Sequence, residues 1–475
     1  MTNVIAVDLG AESGRLMRVC FDDGNWTLDE LHRFPNTPVQ VRDTLYWDVL
    51  RLWHEIHTTL DAAKGDAASV GVDTWGVDFA LLGRDGHLLA NPVHYRDSRT
   101  EGMMEWVFER VPRRTVFERT GIQFMILNTL YQFASLVHRN SPALEAAESL
   151  LTFPDLFNYW LTGEKACEFT HVSTTQCYNP RQGDWDRETL DAIGFPTGIL
   201  APIGQPGARI GAYNGLPVIR TAAHDTASAV VAVPAETENF AYLSSGTWSL
   251  LGLELAEPVI NDAAYAANVT NEGGYDGTFR LLKNIAGLWL AQQSRATWTQ
   301  QGQHYEYGEL ARLAAEAEPY RSLVDPDNDV FMAPGDMPTR IQAFCQRTGQ
   351  PIPESVGQIM RTIYESLALK YRHTLDHLLS LTGQQVDVLH IIGGGARSDL
   401  LCQMAADATG RQVVAGPFEA TALGNAVVQL ITLGELENVA QARATLARLP
   451  ELVRYAPQNT AAWDEAYERF KGLLA

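Results

Sequence analysis

The stretch VIAVDLGAESGRLMRVCFDDGNWTLDELHRF, residues 4–34, decides the fold. Its β-favouring residues fall into three runs, Val4–Leu9, Arg15–Phe21 and Trp26–Phe34. Two short turns that contain glycine separate the runs, because glycine adopts the backbone angles that tight turns need. The stretch therefore predicts a three-stranded meander with two tight connections.

A helix and another strand follow this meander. From Asp48 to Ala63 apolar residues recur at steps of three and four, which is the period of a helix with one buried face. Ser69 to Asp73 has the composition of a strand, and Asp85-Gly86 marks a hairpin turn. Strands and helices in this order predict an α/β domain with a mixed sheet.

The second half of the chain repeats this organisation. Strands are predicted at Phe240–Ser244 and Trp248–Leu255, on either side of a Ser-Gly-Thr turn. A long amphipathic helix at Glu354–Leu381 precedes a strand at Val386–Ile392 and a helix at Ser398–Thr409. Each half thus has a strand, a glycine turn and a second strand near its beginning.

Length and composition predict a two-domain globular protein. A chain of 475 residues exceeds one ordinary core, and the pattern breaks near residues 233–236. We therefore expect an N-terminal domain of residues 1–235 and a C-terminal domain of residues 236–475. No apolar run approaches 18 residues, and the first apolar run has no basic segment before it. We expect a cytoplasmic protein with no membrane partner.

Charge and cysteine content exclude several classes of function. The formal net charge of -21 argues against a nucleic-acid partner. The five cysteines include no CxxC pair, which argues against a zinc site or a disulfide framework and fits a reducing compartment. Any nucleotide would need a metal ion and a local nest of backbone N–H groups to overcome the long-range repulsion.

The segment from Asp8 to Arg15 is a candidate phosphate site. A turn with glycine leaves backbone N–H groups available and lets a phosphate approach closely. Asp8 at the strand end can face Mg²⁺ through water, and Arg15 can contact a phosphate oxygen. The alternative is an ordinary hairpin with polar turn residues, since neither G-x-G-x-x-G nor G-x-x-x-x-G-K-[ST] occurs in the chain.

Two glycine segments in the second half are also candidates. Small hydroxyl residues surround the glycine of Ser244-Ser245-Gly246-Thr247-Trp248, which suits a second phosphate nest, and a β-turn is the alternative. Gly393-Gly394-Gly395 removes every side chain from one surface, which suits close approach by adenine and ribose. A flexible connection is the alternative for the triple glycine.

Two segments of the first half suit sugar chemistry. In His224-Asp225-Thr226, Asp225 can act as a general base toward a hydroxyl or can cap the helix that follows. The segment Asp73–Phe79, DTWGVDF, combines polar groups with an indole and a glycine, as a sugar site requires. The alternative for its tryptophan is a place in the core.

The order of these segments resembles the FGGY carbohydrate kinase family. The blocks that carry the resemblance run from residue 5 to about residue 401, which is nearly the whole chain. They are AVDLGAESGR, GVDTWGVDFALL, NPVHYRDSRT, GIQFMILNTLYQ, HDTASAV, AYLSSGTWSL, ANVTNEGG, LLKNIAGLWL and HIIGGGARSDLL. The resemblance implies two ribonuclease-H-like domains, as in actin and hexokinase, with an active-site cleft between them.

The resemblance also implies a reaction and a set of site residues. The γ-phosphoryl of MgATP would move to the 1-hydroxyl of L-rhamnulose, in L-rhamnose catabolism, with Asp225 as the proton acceptor and Asp8 facing the metal. The implied sugar contacts are Gly76, His224, Asp225, Thr226 and Asn284. The implied ATP contacts are Ala11, Glu12, Ser13, Gly14, Arg15, Thr247, Gln292 and Gly394. Glu12 stands where close relatives often have serine, and a carboxylate there weakens nucleotide binding unless it points to solvent or to the metal.

Other functions compete with this interpretation. A kinase of the same family for another ketose, such as L-fuculose, differs only in side-chain placement around one sugar carbon. A non-catalytic actin-like protein that senses a nucleotide or a sugar is a different class, and the presence of both DTWGVDF and HDTASAV argues against it. The expected partners are the sugar and ATP, and the expected assembly is a monomer or a homodimer.

Overall fold

The structure, a computed structural model, describes residues 1–474 of the chain. The first half contains the strands β1 (Thr2–Leu9), β2 (Ser13–Asp22), β3 (Asn25–Pro35), β4 (Val39–Val41), β5 (Thr44–Tyr46), β6 (Ser69–Thr74), β7 (Phe79–Leu82), β8 (Ser149–Thr152), β9 (Cys167–Glu168), β10 (Tyr178–Asn179), β11 (Asp184–Trp185), β12 (Ile203–Gly204), β13 (Ala208–Tyr213) and β14 (Leu216–Arg220). The second half contains β15 (Phe240–Ser245), β16 (Trp248–Leu255), β17 (Thr270–Gly273), β18 (Phe279–Ala286), β19 (Val388–Ile392), β20 (Gln412–Ala415) and β21 (Val453–Tyr455).

Helices connect and cover these strands. The α-helices are α1 (Val49–Ala63), α2 (Met103–Phe108), α3 (Arg113–Thr120), α4 (Thr129–His138), α5 (Pro142–Glu145), α6 (Phe153–Thr162), α7 (Phe169–Thr174), α8 (Arg187–Ala192), α9 (Asp225–Val231), α10 (Asp262–Ala267), α11 (Trp289–Gln300), α12 (Tyr307–Glu316), α13 (Met337–Arg347), α14 (Val356–Thr382), α15 (Asp399–Thr409), α16 (Ala420–Leu433), α17 (Val439–Leu446) and α18 (Thr460–Lys471). Short 3₁₀ helices lie at Lys64–Asp66, Ser98–Thr100, Thr197–Ile199, Tyr275–Gly277, Asp329–Phe331 and Gly394–Arg397.

The chain forms two compact units. Unit 1 contains residues 1–232 together with residues 254–281 and 420–446. Unit 2 contains residues 233–253, residues 282–419 and the described residues after 446. The division of the sequence into domains of residues 1–235 and 236–475 stays a prediction. No helix within residues 1–474 is long and apolar enough to cross a membrane.

Unit 1 is organised around a six-stranded sheet with the order β13-β14-β6-β1-β2-β3. β1, β2 and β3 pair antiparallel in sequence, so the predicted meander is confirmed. β6 pairs parallel with both β1 and β14, which makes the sheet mixed, as predicted. The interior of β1 is buried from Val4 to Leu9, which accounts for its nearly continuous apolar sequence.

Two helices of unit 1 show how side chains set a helix start and a close helix contact. α1 begins after Asp48, whose carboxylate accepts a hydrogen bond from the Arg51 N–H, and its apolar stripe is buried. α16 packs against α9, β1 and β6 of unit 1. The contact with α9 is close, because a Cβ on Gly424 would lie 1.7 Å from the carbonyl oxygen of Ser228. The small residues of both helices permit this approach.

The second sheet has seven strands in the order β17-β18-β16-β15-β19-β20-β21. β15 pairs antiparallel with β16 and parallel with β19, so the turns that follow β15 and β19 lie at the same edge. The long helix α14 begins with a capping box formed by Ser355 and Gln358 and ends at Gly383, whose φ of 69° favours glycine. The strands and helices predicted in this half are confirmed, with ends shifted by one or two residues.

Candidate active site

Three aspartates lie together in unit 1. Asp8 and Asp73 are direct partners on the parallel strands β1 and β6, near the carboxyl ends of both strands. Asp225 is the first residue of α9, which follows the neighbouring strand β14. The charge of Asp8 acts on both other carboxyl groups. The carboxyl ends of two strands and the start of a helix therefore bring together acidic residues that are far apart in sequence.

The protonation of these carboxyl groups is set by burial and mutual repulsion. Burial and the charge of Asp8 raise the pKa of Asp225 to about 7, although hydrogen bonds from Thr226 oppose the rise. Burial and Asp8 also raise the pKa of Asp73 well above its usual value, although Asn425 donates to Asp73 Oδ2 at 2.6 Å. Asp225 thus changes protonation near neutral pH, which suits a general base.

Asp225 does not occupy the N-cap position of its helix. His224 is the N-cap residue, and Asp225 is the first helical residue. Asp225 Oδ1 nevertheless accepts the N–H of Thr226 at 2.5 Å, and the Thr226 hydroxyl lies 3.2 Å from the same oxygen. The Asp225 side chain is 29% exposed, so ligand access and contact with the helix start coexist.

The segment before Asp225 is fixed by α7. The His224 N–H donates to Thr170 Oγ1 at 3.2 Å, and the Ala223 N–H donates to a Glu168 carboxylate oxygen at 3.1 Å. Glu168 also accepts the first N–H groups of α7, which makes it the cap of that helix. One carboxylate thereby joins the start of α7 to the segment that carries His224.

Gly76 lies in a strained turn beside His224. Val77 has a φ of 68°, which is unfavourable for a β-branched residue. Its N–H donates to Thr174 Oγ1 at 3.1 Å, and its carbonyl accepts the Thr129 hydroxyl at 2.5 Å. A Cβ on Gly76 would lie 3.1 Å from Thr174 Oγ1 and 3.2 Å from His224 Nε2. Glycine at this position therefore lets the imidazole approach the backbone.

The buried carboxylate of Asp78 lies next to the Gly76–Val77 turn and binds two indole groups. Asp78 Oδ2 accepts the indole N–H of Trp47 at 2.5 Å and that of Trp75 at 2.8 Å. Burial raises the pKa of Asp78 to about 6, while the two indole bonds oppose the rise. Trp75 is itself buried and packs against Phe153, so it belongs to the core, which was the alternative left open for it.

The predicted first phosphate loop is a tight turn between β1 and β2. The Gly10 N–H donates to the carbonyl of Ser13 at 3.0 Å. Asn36 stabilises the turn through two hydrogen bonds. Its side chain donates to the Gly10 carbonyl and its N–H donates to the Glu12 carbonyl, both at 3.0 Å. Glu12 is an exposed residue of this turn. Ala11 lies half-buried in the same turn.

The end of this loop combines an ion pair with a close contact. Arg15 Nη2 lies 2.6 Å from Asp8 Oδ2, and Arg15 Nε lies 2.9 Å from the same oxygen. Gly14 is buried, and a Cβ there would lie 2.4 Å from the Phe34 ring. The two residues predicted to meet a phosphate and a metal are therefore paired with each other.

The predicted nucleotide residues of unit 2 come together at the edge of the second sheet. Gln292 Nε2 donates to Thr247 Oγ1 at 3.1 Å. A Cβ on Gly395 would lie 2.0 Å from Ser245 Oγ, so the triple-glycine segment lies directly on the Ser245–Thr247 turn. A Cβ on Gly394 would meet no atom within 4 Å, so this glycine borders open space. Asn284 lies on β18 of unit 2 and is half-buried.

The aspartate cluster fits a hydrated Mg²⁺ ion. Asp73 Oδ1 is buried without a hydrogen-bond partner, and a cation would relieve the repulsion among the three carboxyl groups. Within residues 1–474, no group of three or more His, Cys, Asp or Glu side chains is arranged to hold a metal ion. Mg²⁺ in kinases takes one or two carboxylates and completes its shell with water and phosphate. Asp8 suits that arrangement.

Sequence reasoning missed several side chains that shape the site. Asp73 lies within the DTWGVDF segment, and Glu272 lies within the ANVTNEGG block, but neither received a role. Asn36, Arg280 and Asn425 had no local signal, because their spacing matches no motif. Each becomes visible only when the fold brings it to Gly10, His224 or Asp73.

Comparisons with known proteins identify the family. The sequence profile of the N-terminal domain of the FGGY family of carbohydrate kinases matches residues 4–232, and that of the C-terminal domain matches residues 241–433. The chain belongs to the FGGY family of carbohydrate kinases. This membership confirms the predicted family and the predicted class of enzyme, a carbohydrate kinase.

Relatives within the FGGY family match the chain over nearly its full length. A protein of Bacteroides thetaiotaomicron named rhamnulokinase is 47% identical, with 99% of both chains covered. A rhamnulokinase of Pectobacterium atrosepticum is 41% identical, with 99% of this chain and 96% of that protein covered.

Solved structures of a xylulose kinase and a glycerol kinase share the fold. A xylulose kinase of Lactobacillus acidophilus superposes with a TM-score of 0.83 at 15% identity, covering 100% of this chain and 98% of that one. A glycerol kinase of Plasmodium falciparum, solved with ADP, gives a TM-score of 0.78 at 15% identity, covering 99% and 98%. The predicted α/β fold class of FGGY kinases is confirmed.

Proposed function

We propose that the protein transfers the γ-phosphoryl group of ATP to the 1-hydroxyl of L-rhamnulose, giving L-rhamnulose 1-phosphate and ADP. The observation that carries the proposal is the near full-length match to proteins named rhamnulokinase, at 47% and 41% identity. The aspartate cluster in unit 1 supports the same reaction, because Asp225 has a pKa of about 7 and is partly exposed.

Asp225 is the proposed proton acceptor. Phosphoryl transfer to a hydroxyl releases one proton, and a carboxylate within hydrogen-bond reach can take it as the oxygen–phosphorus bond forms. The pKa of Asp225, about 7, keeps a large fraction of the group ionised at neutral pH while leaving it basic enough to accept the proton. Its partial exposure leaves an oxygen accessible to the sugar.

Gly76, His224 and Thr226 surround Asp225 and are the proposed sugar contacts. His224 Nε2 lies 3.4 Å from Asp225 Oδ1, and the Gly76 backbone lies against the same ring. A sugar hydroxyl next to Asp225 would therefore meet hydrogen-bonding groups on both sides. We assign Asn284 to the sugar only on the resemblance to the family, as a half-buried amide on β18.

Two turns are the proposed phosphate contacts. The turn at Ala11–Arg15 and the turn at Ser245–Thr247 both present backbone N–H groups and small side chains, which suit phosphate oxygens. We assign Gln292, hydrogen-bonded to Thr247, to the nucleotide, and Gly394 to the adenosine end. Mg²⁺, when bound near Asp8, supplies charge neutralisation for the triphosphate. A kinase that consumes ATP in this way is expected in the cytoplasm.

A coupled assay of ADP release tests the proposal. The panel is L-rhamnulose, L-fuculose, L-ribulose, D-xylulose and glycerol, each with ATP and Mg²⁺. We expect L-rhamnulose to give the highest kcat/KM. If L-fuculose ranks first, the enzyme is a kinase of the same family for the epimer. If glycerol or D-xylulose exceeds both 6-deoxy ketoses, the substrate assignment is wrong.

A further inference from the structure

A buried arginine lies behind the histidine of the proposed sugar site. Arg280, on β18, has no exposed side-chain surface, and its Nη2 atom lies 3.1 Å from His224 Nδ1. The same Nη2 lies 3.2 Å from a carboxylate oxygen of Glu272, and Arg280 Nε donates to the carbonyl of Gly273 at 3.0 Å. The guanidinium is thus held in a fixed orientation by the strand β17 beside it.

This contact determines which nitrogen of His224 carries a proton. A guanidinium has only N–H groups and accepts no hydrogen bond. The Nδ1 atom that faces Arg280 must therefore be the acceptor, so the hydrogen of a neutral ring lies on Nε2. Burial, reinforced by the positive charge of Arg280, lowers the pKa of His224 well below its usual value, which keeps the ring neutral.

The Nε2 atom of His224 faces Asp225 and Gly76. It lies 3.4 Å from Asp225 Oδ1 and would lie 3.2 Å from a Cβ placed on Gly76. A neutral Nε2–H group donates one hydrogen bond toward a sugar oxygen or the Asp225 carboxylate. Because Nε2 already carries a hydrogen, this atom does not compete with Asp225 for the transferred proton. With the other tautomer, Nε2 would be an acceptor facing a carboxylate, which is an unfavourable contact.

We propose that Arg280, held by Glu272, is a positioning residue that fixes His224 as its Nε2–H tautomer and thereby presents a hydrogen-bond donor to the sugar beside Asp225. The proposal rests on the proposed function for the identity of the sugar. The tautomer itself rests only on the contacts within unit 1.

Glu272 completes the arrangement by balancing the buried charge. An unpaired guanidinium without exposed surface would carry a large desolvation cost. Glu272 is buried as well, and its carboxylate also lies 3.5 Å from His224 Nδ1. Since a deprotonated Nδ1 would be repelled by this carboxylate alone, the donor from Arg280 between them is what makes the grouping stable.

The first test reads the tautomer by ¹⁵N NMR of histidine-labelled protein, in which protonated and unprotonated ring nitrogens have different shifts. The His224 signals are identified by their loss in His224→Gln. We expect the Nε2–H pattern in the wild type. We expect Arg280→Gln, whose amide still donates, to keep it, and Arg280→Met to lose it. Folded Arg280→Met protein with an unchanged Nε2–H pattern would overturn the proposal.

The second test separates positioning from stability. We expect Arg280→Met to raise the KM for the sugar about tenfold, the effect of losing one oriented hydrogen bond, while the KM for ATP changes less than twofold. Arg280→Gln should recover most of the loss. Arg220→Met is the matched control, because Arg220 is a buried arginine of the same unit that pairs with Glu164 and does not contact His224. Equal effects of the Arg280 and Arg220 changes on both KM values would refute a positioning role.

The two hypotheses fail separately. If the wild type shows no activity on L-rhamnulose but phosphorylates another sugar of the panel, the substrate is wrong and the tautomer measurement still stands. If Arg280→Met does not fold, the wild-type spectrum decides, since a His224 ring protonated on Nδ1 would contradict the proposal.

Discussion

Arg15 and Asp8 face each other across the antiparallel ladder of β1 and β2, with two guanidinium nitrogens 2.6 and 2.9 Å from one carboxylate oxygen. The cross-strand register imposes this pair, because directly opposed residues lie on the same face of a sheet. The positive charge of Arg15 lowers the pKa of Asp73 and so offsets part of the effect of Asp8 on that carboxyl group. Arg15 is therefore more than a proposed phosphate contact, because it also orients the Asp8 carboxylate, which we propose to face the metal.

A prediction about nucleotide binding follows from this pair. Arg15→Met should raise the KM for MgATP about tenfold or more, because both a phosphate contact and the charge balance around Asp8 are lost. The control is Arg18→Met on the same strand, whose ion pair with the exposed Asp29 spans 4.0 Å. Steady-state kinetics of both variants give the answer. Equal KM values for MgATP in the two variants would remove Arg15 from the nucleotide site.

The pH dependence of the reaction should report Asp225. The group must be ionised to accept a proton, and its pKa is raised to about 7, so kcat/KM should fall about tenfold per pH unit below that point. Asp8 raises this pKa, and Arg280 opposes the rise. Asp8→Asn should therefore move the acidic limb to lower pH. A limb that does not move in Asp8→Asn would show that another group titrates.

The triple-glycine segment offers a sharp test of the adenosine site. A Cβ at Gly394 would meet no protein atom within 4 Å, so we expect Gly394→Val to fold normally. We expect its KM for ATP to rise more than tenfold while the KM for the sugar stays within twofold, because the valine occupies space assigned to adenosine.

The neighbouring glycine provides the control. Gly395→Val would place its Cβ 2.0 Å from Ser245 Oγ, so we expect that variant to lose thermal stability. Thermal unfolding measured beside kinetics separates the two effects. A stable Gly394→Val enzyme with wild-type ATP kinetics would exclude Gly394 from the nucleotide site.

The local part of the site could be predicted from sequence. Strand alternation and glycine turns place the Ala11–Arg15 loop, the Ser245–Thr247 turn and the triple-glycine segment at the ends of strands. These features depend on neighbouring residues and on the period of strands and helices, which a sequence displays directly.

The non-local part could not be predicted. Arg280 and Asn425 belong to segments of the second half of the chain that pack within unit 1. No spacing in the sequence predicts their contacts with His224 and Asp73. The left-handed backbone of Val77 could not be predicted either, because β-branched residues disfavour this conformation. Hydrogen bonds from Thr129 and Gln132 to its carbonyl, and from its N–H to Thr174, hold it.

Asp225→Asn is the most decisive change for the proposed mechanism. The asparagine keeps an oxygen that can accept the Thr226 N–H, so the start of α9 should be preserved. It cannot accept a proton, so kcat should fall roughly 10²- to 10⁴-fold, which corresponds to about 3–5 kcal/mol of transition-state stabilisation. Binding of MgATP and of the sugar should remain within about one order of magnitude, measured by calorimetry on the folded variant. A role confined to the helix start predicts near-normal kcat instead. An Asp225→Asn enzyme that keeps more than about a tenth of wild-type kcat, well outside the general-base range, would show that another group accepts the proton.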